Sequence, residues 1–420
     1  MRLIPEAELE RLMRLQDVIL QATAKKITWW QAAEILGISA RTMRRWKYKY
    51  EHYGMMATMD RRRGKPNWRK VDAASAERVI GLYRDQYHDL NVRHFHEKLR
   101  EEHHIRFSYT WVKNVLQGAG LVAKSRSRNK HRKRRPRKPL PGMMLHIDGS
   151  HHQWFSDDRW HDLIVIMDDA TSEIYYAQLV DDESTRSVMA AIRYVVERQG
   201  WFPSIYSDRA SHFFHTPKGG GPVDFSQLTH IGRAMKELGI RMIPAYSPQA
   251  RGRSERSFRT WQGRLPQELR LRQIDSVVEA NRFLASHYIS EFNGKFAVRA
   301  AQPGTAFVPI QRQDLDRVFS LQHERFVNHD NTVKWLNHLL QIEPTSIRST
   351  LAGCRVVVYE HLNATLSIGY GPHTIGRYTA EGEPIVETQP IAKPKRVLKK
   401  SVLTEVGTDF FVNKVTSAAR

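Results

Sequence analysis

Residues 143–148 read MMLHID, residues 161–169 HDLIVIMDD and residues 174–180 IYYAQLV. The first is a short buried strand ending in an acid, the second a longer one, and the third has alternating character. Val188, Ala191, Ile192 and Val195 then recur at helical spacing across residues 185–199. After the break at residues 200–203 (GWFP), residues 204–208 (SIYSD) form another strand ending in an acid. Residues 236–243 add a helix end and a strand, and residues 247–263 open a further helix.

Three meandering strands followed by α-β-α-β-α fit a ribonuclease-H-like mixed sheet. In that arrangement the first and fourth strands lie side by side, so Asp148 and Asp208, each at a strand's C-terminal end, become neighbours. The helix beginning near Arg251 then brings Glu255 across from them. Three converging carboxylates offer the hard oxygen ligands that Mg²⁺ prefers. Two ions about 3.5–4 Å apart would serve the attacking and the leaving oxygen of a phosphoryl transfer, with Mn²⁺ able to substitute. Arg251, Glu255, Arg259 and Gln262 share one helix face; the cations either hold a DNA backbone or pair with Glu255. Asp168 and Asp169 read as turn and strand-end residues, and residues 181–183 (DDE) as a loop and N-cap. The nearby histidines read as polar surface or DNA contacts.

Outside this middle region the charge changes. The chain has 420 residues and a net charge of +22. Residues 1–141 hold 33 Lys and Arg against 14 Asp and Glu, residues 142–310 hold 19 of each, and residues 311–420 hold 14 against 11. A basic arm on a neutral domain is the footprint of a nucleic-acid grip. Hydrophobic content of 41% excludes wholesale disorder, and a single Cys excludes an internal disulfide or a Cys-rich zinc module. No apolar run is long enough to span a bilayer and no signal peptide is evident, which predicts a soluble, cytoplasmic protein associated with the bacterial nucleoid.

Within the basic arm, residues 27–50 (ITWWQAAEILGISARTMRRWKYKY) place Ala33, Gly37 and Met43 at helix-turn-helix spacing, with Ser39 as N-cap. Arg41, Thr42, Arg44, Arg45 and Lys47 occupy the face left free by Met43 and Trp46 and are candidate DNA contacts. Arg61, Arg62 and Arg63 follow in a break and would track phosphates. Residues 73–122 predict a second helical unit, a winged-helix or helix-turn-helix module or simply packing helices, with Ser108 capping its last helix. Residues 124–138 hold ten Lys and Arg, among them Arg132, Lys133, Arg134 and Arg135, in a linker with almost no apolar residue.

Residues 247–256 (SPQARGRSER), ending in residues 259–262 (RTWQ), resemble the glutamate-bearing stretch of bacterial insertion-sequence transposases of the retroviral-integrase type, the DDE superfamily. Residues 145–150 (LHIDGS) are similar to that family's first-aspartate strand, and residues 206–211 (YSDRAS) to its second, where the family often has Asp-x-Gly. Here Arg209 stands at the usual small-residue position, and 46 residues separate Asp208 from Glu255, more than in compact retroviral integrases. The excess is assigned to residues 216–227, interrupted by GGGP at 219–222. The resemblance covers roughly residues 25–375 and implies Asp148, Asp208 and Glu255 as catalytic and metal-holding residues. It further implies binding to double-stranded DNA, both transposon ends and target, and assembly as a dimer or larger homo-oligomer.

The expected domain order is residues 1–70 (helix-turn-helix), 71–122 (second helical unit), 123–141 (basic linker), 142–310 (α/β catalytic core), 311–378 (small β-barrel) and 379–420 (extended tail). The barrel rests on short β-rich runs between residues 325 and 368. The expected activity is metal-dependent DNA cleavage and strand transfer at terminal inverted repeats. The alternatives are a DNA-binding regulator with an inactive core and a purely hydrolytic ribonuclease-H-like nuclease.

Overall fold

The computed structural model describes residues 6–54, 71–124, 135–218, 221–246, 252–310, 314–344 and 348–385. They fall into two units, one drawn from Met1–Gln86 and Asn114–Leu121, the other from Tyr87–Lys113 and Val122–Arg420. No helix among the described residues is long and apolar enough to cross a membrane.

The first unit opens with α1 (Glu6–Thr23), α2 (Trp29–Ile35) and α3 (Ala40–Tyr53). Thr28 and Gln31 form a reciprocal capping box at the start of α2, and Ser39 accepts from the Thr42 amide at 3.2 Å to start α3. Between them Gly37 takes φ +62°, a left-handed conformation that costs glycine little. Met43 is buried against Ala32 and Ala33, with Trp46 packed alongside, as the spacing predicted. Helix α1 was not anticipated; Val18, Ile19 and Ala22 close this core from the third side. The helix α4 (Ala73–Asp85) also belongs to this unit, capped by Asp72. Two more helices follow in the chain, α5 (Val92–Glu101), which belongs to the second unit, and α6 (Tyr109–Gly118), and Ser108 accepts from the Trp111 amide as expected of a cap.

The second unit is built on a five-stranded mixed sheet of β1 (Leu145–His152), β2 (His161–Asp168), β3 (Ile174–Val180), β4 (Ser204–Ser207) and β5 (Arg241–Pro244), in the order β3-β2-β1-β4-β5. β1 to β3 form an antiparallel meander, while β1–β4 and β4–β5 pair in parallel. The apolar run of β2 lacks polar alternation because both faces are covered. Ile164 and Ile166 pack with α7 (Thr185–Gln199) and α8 (His230–Glu237). Leu163, Val165 and Met167 pack on α9 (Ser254–Gln262), α10 (Leu265–Leu271), α11 (Val277–Phe283), a π-helical turn (Leu284–Tyr288) and α12 (Ile289–Phe296). Edge strand β3 is sheltered by two asparagines: Asn281 bonds the Leu179 amide and carbonyl, and Asn293 those of Ile174.

Two expectations are corrected here. Asp148 is not at a strand end: β1 runs on through Gly149, Ser150, His151 and His152, which pair in register with residues 161–164 of β2. Gly149 and Ser150 are turn-formers by type, yet pairing with Ile164 and Leu163 of β2 keeps them in the ladder. The C-terminal strands do not close a barrel among the described residues. After α13 (Leu315–Val318), β6 (Ser320–Phe326), β9 (Arg355–His361), β10 (Leu366–Tyr370) and β11 (His373–Tyr378) form an open antiparallel sheet in the order β11-β10-β9-β6. β7 (Thr332–Trp335) and β8 (His338–Gln341) form a separate hairpin. Val333, Trp335 and Leu340 join the hairpin to Val356, Val358 and Ile368 through side chains, and the Tyr378 hydroxyl donates to the Gln341 carbonyl at 2.6 Å. Apolar packing substitutes for the backbone ladder that closure would need.

Candidate active site and nucleic-acid interface

On α3, Arg41, Arg44 and Arg45 are exposed, while Met43 fills the core. Thr42 meets the Ser39 cap through its amide and, at 2.9 Å, through its hydroxyl. Lys47 lies 5.3 Å over the Trp29 ring and pairs with Glu51 at 3.7 Å. The apolar pattern did not single out Trp30, 68% exposed on α2, or Tyr48, tilted against the His52 ring. Arg61, Arg62, Arg63, Arg132, Lys133, Arg134 and Arg251 lie outside the described residues.

Asp148 is the buried fourth residue of β1. Alternation puts His146, Asp148 and Ser150 on one face, while Leu145 and Ile147 enter the α7 core on the other. The parallel ladder pairs Leu145 with Ile205 and His146 with Tyr206. Carried two residues on, the same offset sets Asp148 level with Asp208, just past the end of β4. A carboxylate oxygen of Asp208 accepts from the Ala210 amide at 3.0 Å, which turns the chain away from the sheet. Residues 208–229 then hold no helix or strand among those described.

Glu255 is exposed in the first turn of α9, where a carboxylate suits the positive end of the helix dipole. Two contacts bracket this helix along β1. At its start, Arg253 pairs with Asp169, whose amide donates to the Met144 carbonyl at 3.0 Å. At its end, the Gln262 side chain donates to Ser150 Oγ at 3.0 Å. Glu255 and Gln262 are seven residues apart, about two turns, and so share a face. Arg259 is exposed on the same helix, and Phe258 and Trp261 are buried beneath it.

Asp148 on β1 and Asp208 just past the end of β4 offer the hard oxygen ligands that suit a divalent cation. Among the described residues, no three His, Cys, Asp or Glu side chains are gathered closely enough to hold a metal ion.

Asp168 and Asp169 play different parts. Asp168 accepts from the Gly142 amide and from the Thr171 amide and hydroxyl, so it builds the turn after β2. Asp169 gathers His146 Nε2 at 2.7 Å, the Lys138 amide at 2.8 Å and the guanidinium groups of Arg135 and Arg253. Burial opposes its charge, yet the hydrogen bonds and cations prevail and hold its carboxyl well below the usual range. Burial pushes His146 down, against the pull of Asp169, and its Nε2 faces the Asp169 carboxylate. In residues 181–183 the expected N-cap is corrected: Ser184 caps α7. Glu183 instead packs on Gly149, where an added Cβ would lie 2.0 Å from its carboxylate, and meets His212 Nε2 at 3.1 Å. These tertiary contacts left no mark on local periodicity.

The helix α5 is fastened to this module. Buried Glu268 on α10 meets His94 Nε2 at 2.6 Å, Lys98 Nζ at 2.9 Å and Arg272. Arg264 grips Glu97 through two bonds of 2.7 and 3.1 Å, and Arg270 grips Asp89.

No protein-family model matches the chain. It is 27% identical over 372 residues, 87% of this chain and 80% of the relative, to a Sinorhizobium fredii protein described as "Putative transposase y4bF". It is also 27% identical over 314 residues to the transposase for insertion sequence IS1202 of Streptococcus pneumoniae, covering 66% of this chain and 67% of the relative. Among solved structures, it has 12% identity and a TM-score of 0.31 to a chain of the simian T-cell lymphotropic virus intasome, covering 67% of this chain and 93% of that one. The HTLV-2 integrase catalytic core in complex with magnesium gives 13% identity and a TM-score of 0.26, covering 34% of this chain and 82% of that one. Over most of its length, the chain is similar to a protein described as a putative transposase, and over about two thirds of it to an insertion-sequence transposase.

Proposed function

We propose that the chain is a DNA transposase that binds the ends of its element and catalyses their cleavage and transfer to target DNA. The observation that carries this reading is the parallel β1–β4 register, which sets Asp148 level with Asp208 in a chain aligned along its length with transposases. Glu255, exposed on the helix lying against β1, would complete the set once a cation draws the carboxylates together. These three carboxylates would hold a divalent cation, which would supply Lewis acidity and charge neutralisation for in-line displacement at phosphorus.

The chain's own residues divide the remaining work. Arg41, Arg44 and Arg45 on the exposed face of α3 read or grip end DNA. Residues 123–141 follow phosphates, and Arg259 holds the backbone of the strand being cut. Residues 71–122 contribute a second DNA-holding segment. A dimer or larger assembly on DNA follows from the need to join two ends.

The test is a strand-transfer assay with labelled element ends and the full chain. Asp148→Asn, Asp208→Asn and Glu255→Gln should each abolish transfer while end binding persists. Full transfer by any of these variants would remove that carboxylate from the reaction. Hydrolysis without transfer by the wild-type chain would favour a nuclease.

A further inference from the structure

Helix α9 carries Glu255 but has no cap of its own. Its first flanking residue, Arg253, makes no side-chain capping bond, and the basic residues around it do not favour a helix N-terminus. What fixes the start is a tertiary contact. Arg253 pairs with the Asp169 carboxylate, donates to the Asp169 carbonyl at 3.2 Å and donates to the Arg135 carbonyl at 3.1 Å. The same carboxylate binds His146, two residues before Asp148 and on the same face of β1, and the Lys138 amide at the end of the basic linker. Arg137 adds bonds to the Asp169 carbonyl at 3.0 Å and to Ser172 Oγ at 2.8 Å. Arg135 lies 5.6 Å over the ring of Tyr206, two residues before Asp208. One buried side chain therefore has direct or one-step contact with segments leading to all three carboxylates.

We propose that Asp169 is a positioning residue for the reaction: through Arg253 it fixes where α9 begins, and so where Glu255 stands relative to Asp148. The inference rests on the reading of Asp148, Asp208 and Glu255 as the cation-holding set. Asp169 touches no reacting atom in this scheme. Its effect passes through Arg253, and a misplacement of about 1 Å at a reacting centre can cost about a hundredfold in rate.

The test uses the full chain and Mn²⁺ as probe, its binding followed by water-proton relaxation without DNA, alongside strand transfer, end-DNA binding and thermal melting. Asp169→Asn should keep end-DNA affinity and lower strand transfer about a hundredfold. It should also weaken Mn²⁺ binding as Glu255→Gln does, and the double variant should bind Mn²⁺ no more weakly than Glu255→Gln alone. Arg253→Gln, which leaves the other partners of Asp169 in place, should reproduce the pattern, and Arg253→Lys should recover part of it. If Asp169→Asn does not fold, the Arg253 pair decides. Wild-type Mn²⁺ affinity in Asp169→Asn or Arg253→Gln, with Glu255→Gln impaired, overturns the positioning role while leaving the triad intact. Additive losses in the double variant overturn it too, because they indicate general damage. An unchanged Mn²⁺ affinity in Glu255→Gln overturns the triad reading itself and the proposal with it.

Discussion

Asp169 and Glu268 each gather three basic side chains around one buried carboxylate, and neither announces itself in the chain. Asp169 reads as a strand-end residue and Glu268 as one acid on a charged helix, because all of the basic partners of Asp169 and two of the three of Glu268 come from segments remote in sequence. Burial opposes the charge of Glu268, but His94 and Lys98 hold its carboxyl well below its ordinary value of 4.5. A depressed acid contributes stability that is present above its unfolded pKa and is lost as pH falls through the folded one. Acid destabilisation should therefore set in below about pH 4.5, and Glu268→Gln should flatten that limb in denaturant titrations run at several pH values. At neutral pH the same substitution leaves His94, Lys98 and Arg272 facing a neutral group, at a cost of about 3–5 kcal/mol. Gly149 is the opposite case, a residue whose importance lies in what it lacks. Gly149→Ala should cost about 1–3 kcal/mol by overpacking against Glu183, and the added change Glu183→Ala should recover most of it in a thermal melt.

At the scale of elements, periodicity is a good guide wherever one face is apolar and the other wet. β3 and α7 have the bounds expected of them, and α3 begins at its predicted Ser39 cap. Local reading fails where an element ends for non-local reasons. β1 continues past Asp148 because β2 offers it partners, and β11 forms because β10 does. Helix α1 escapes a local reading because its charged residues mask a narrow apolar stripe that only α2 and α3 complete. Helix α9 depends on its buried face: Trp261 is fully enclosed, stacked at 4.4 Å on Phe292. Trp261→Ala should cost about 3–5 kcal/mol in urea unfolding, and it should reduce strand transfer further by loosening the helix that bears Glu255. On α3, Arg44→Ala and Arg45→Ala each take away one cation of the proposed DNA interface, so each should reduce the slope of log affinity against log salt by about 0.9. A slope unchanged in both would take these arginines out of the DNA interface.

For the whole molecule, charge is the organising quantity. The excess sits in residues 1–141, and the module bearing the carboxylates is balanced. If the basic third neutralises about six to ten phosphates, DNA affinity of the full chain should fall about 10³–10⁵-fold between 50 and 200 mM salt. A shallow dependence would rule out a phosphate-gripping arm. Composition and periodicity were enough by themselves to determine a helical, basic N-terminal region and a mixed central sheet, and three acidic motifs carry the resemblance to transposases, because all of these are written in local patterns. Only the tertiary structure decided that Asp148 sits inside its strand, that Asp169 ties the glutamate helix to the linker, and that the C-terminal strands, among the described residues, form an open sheet and a separate hairpin. The physical reason is the same in each case: ladders, buried ion pairs and close approaches join residues far apart in the chain, and their energies exist only once the fold has brought them together.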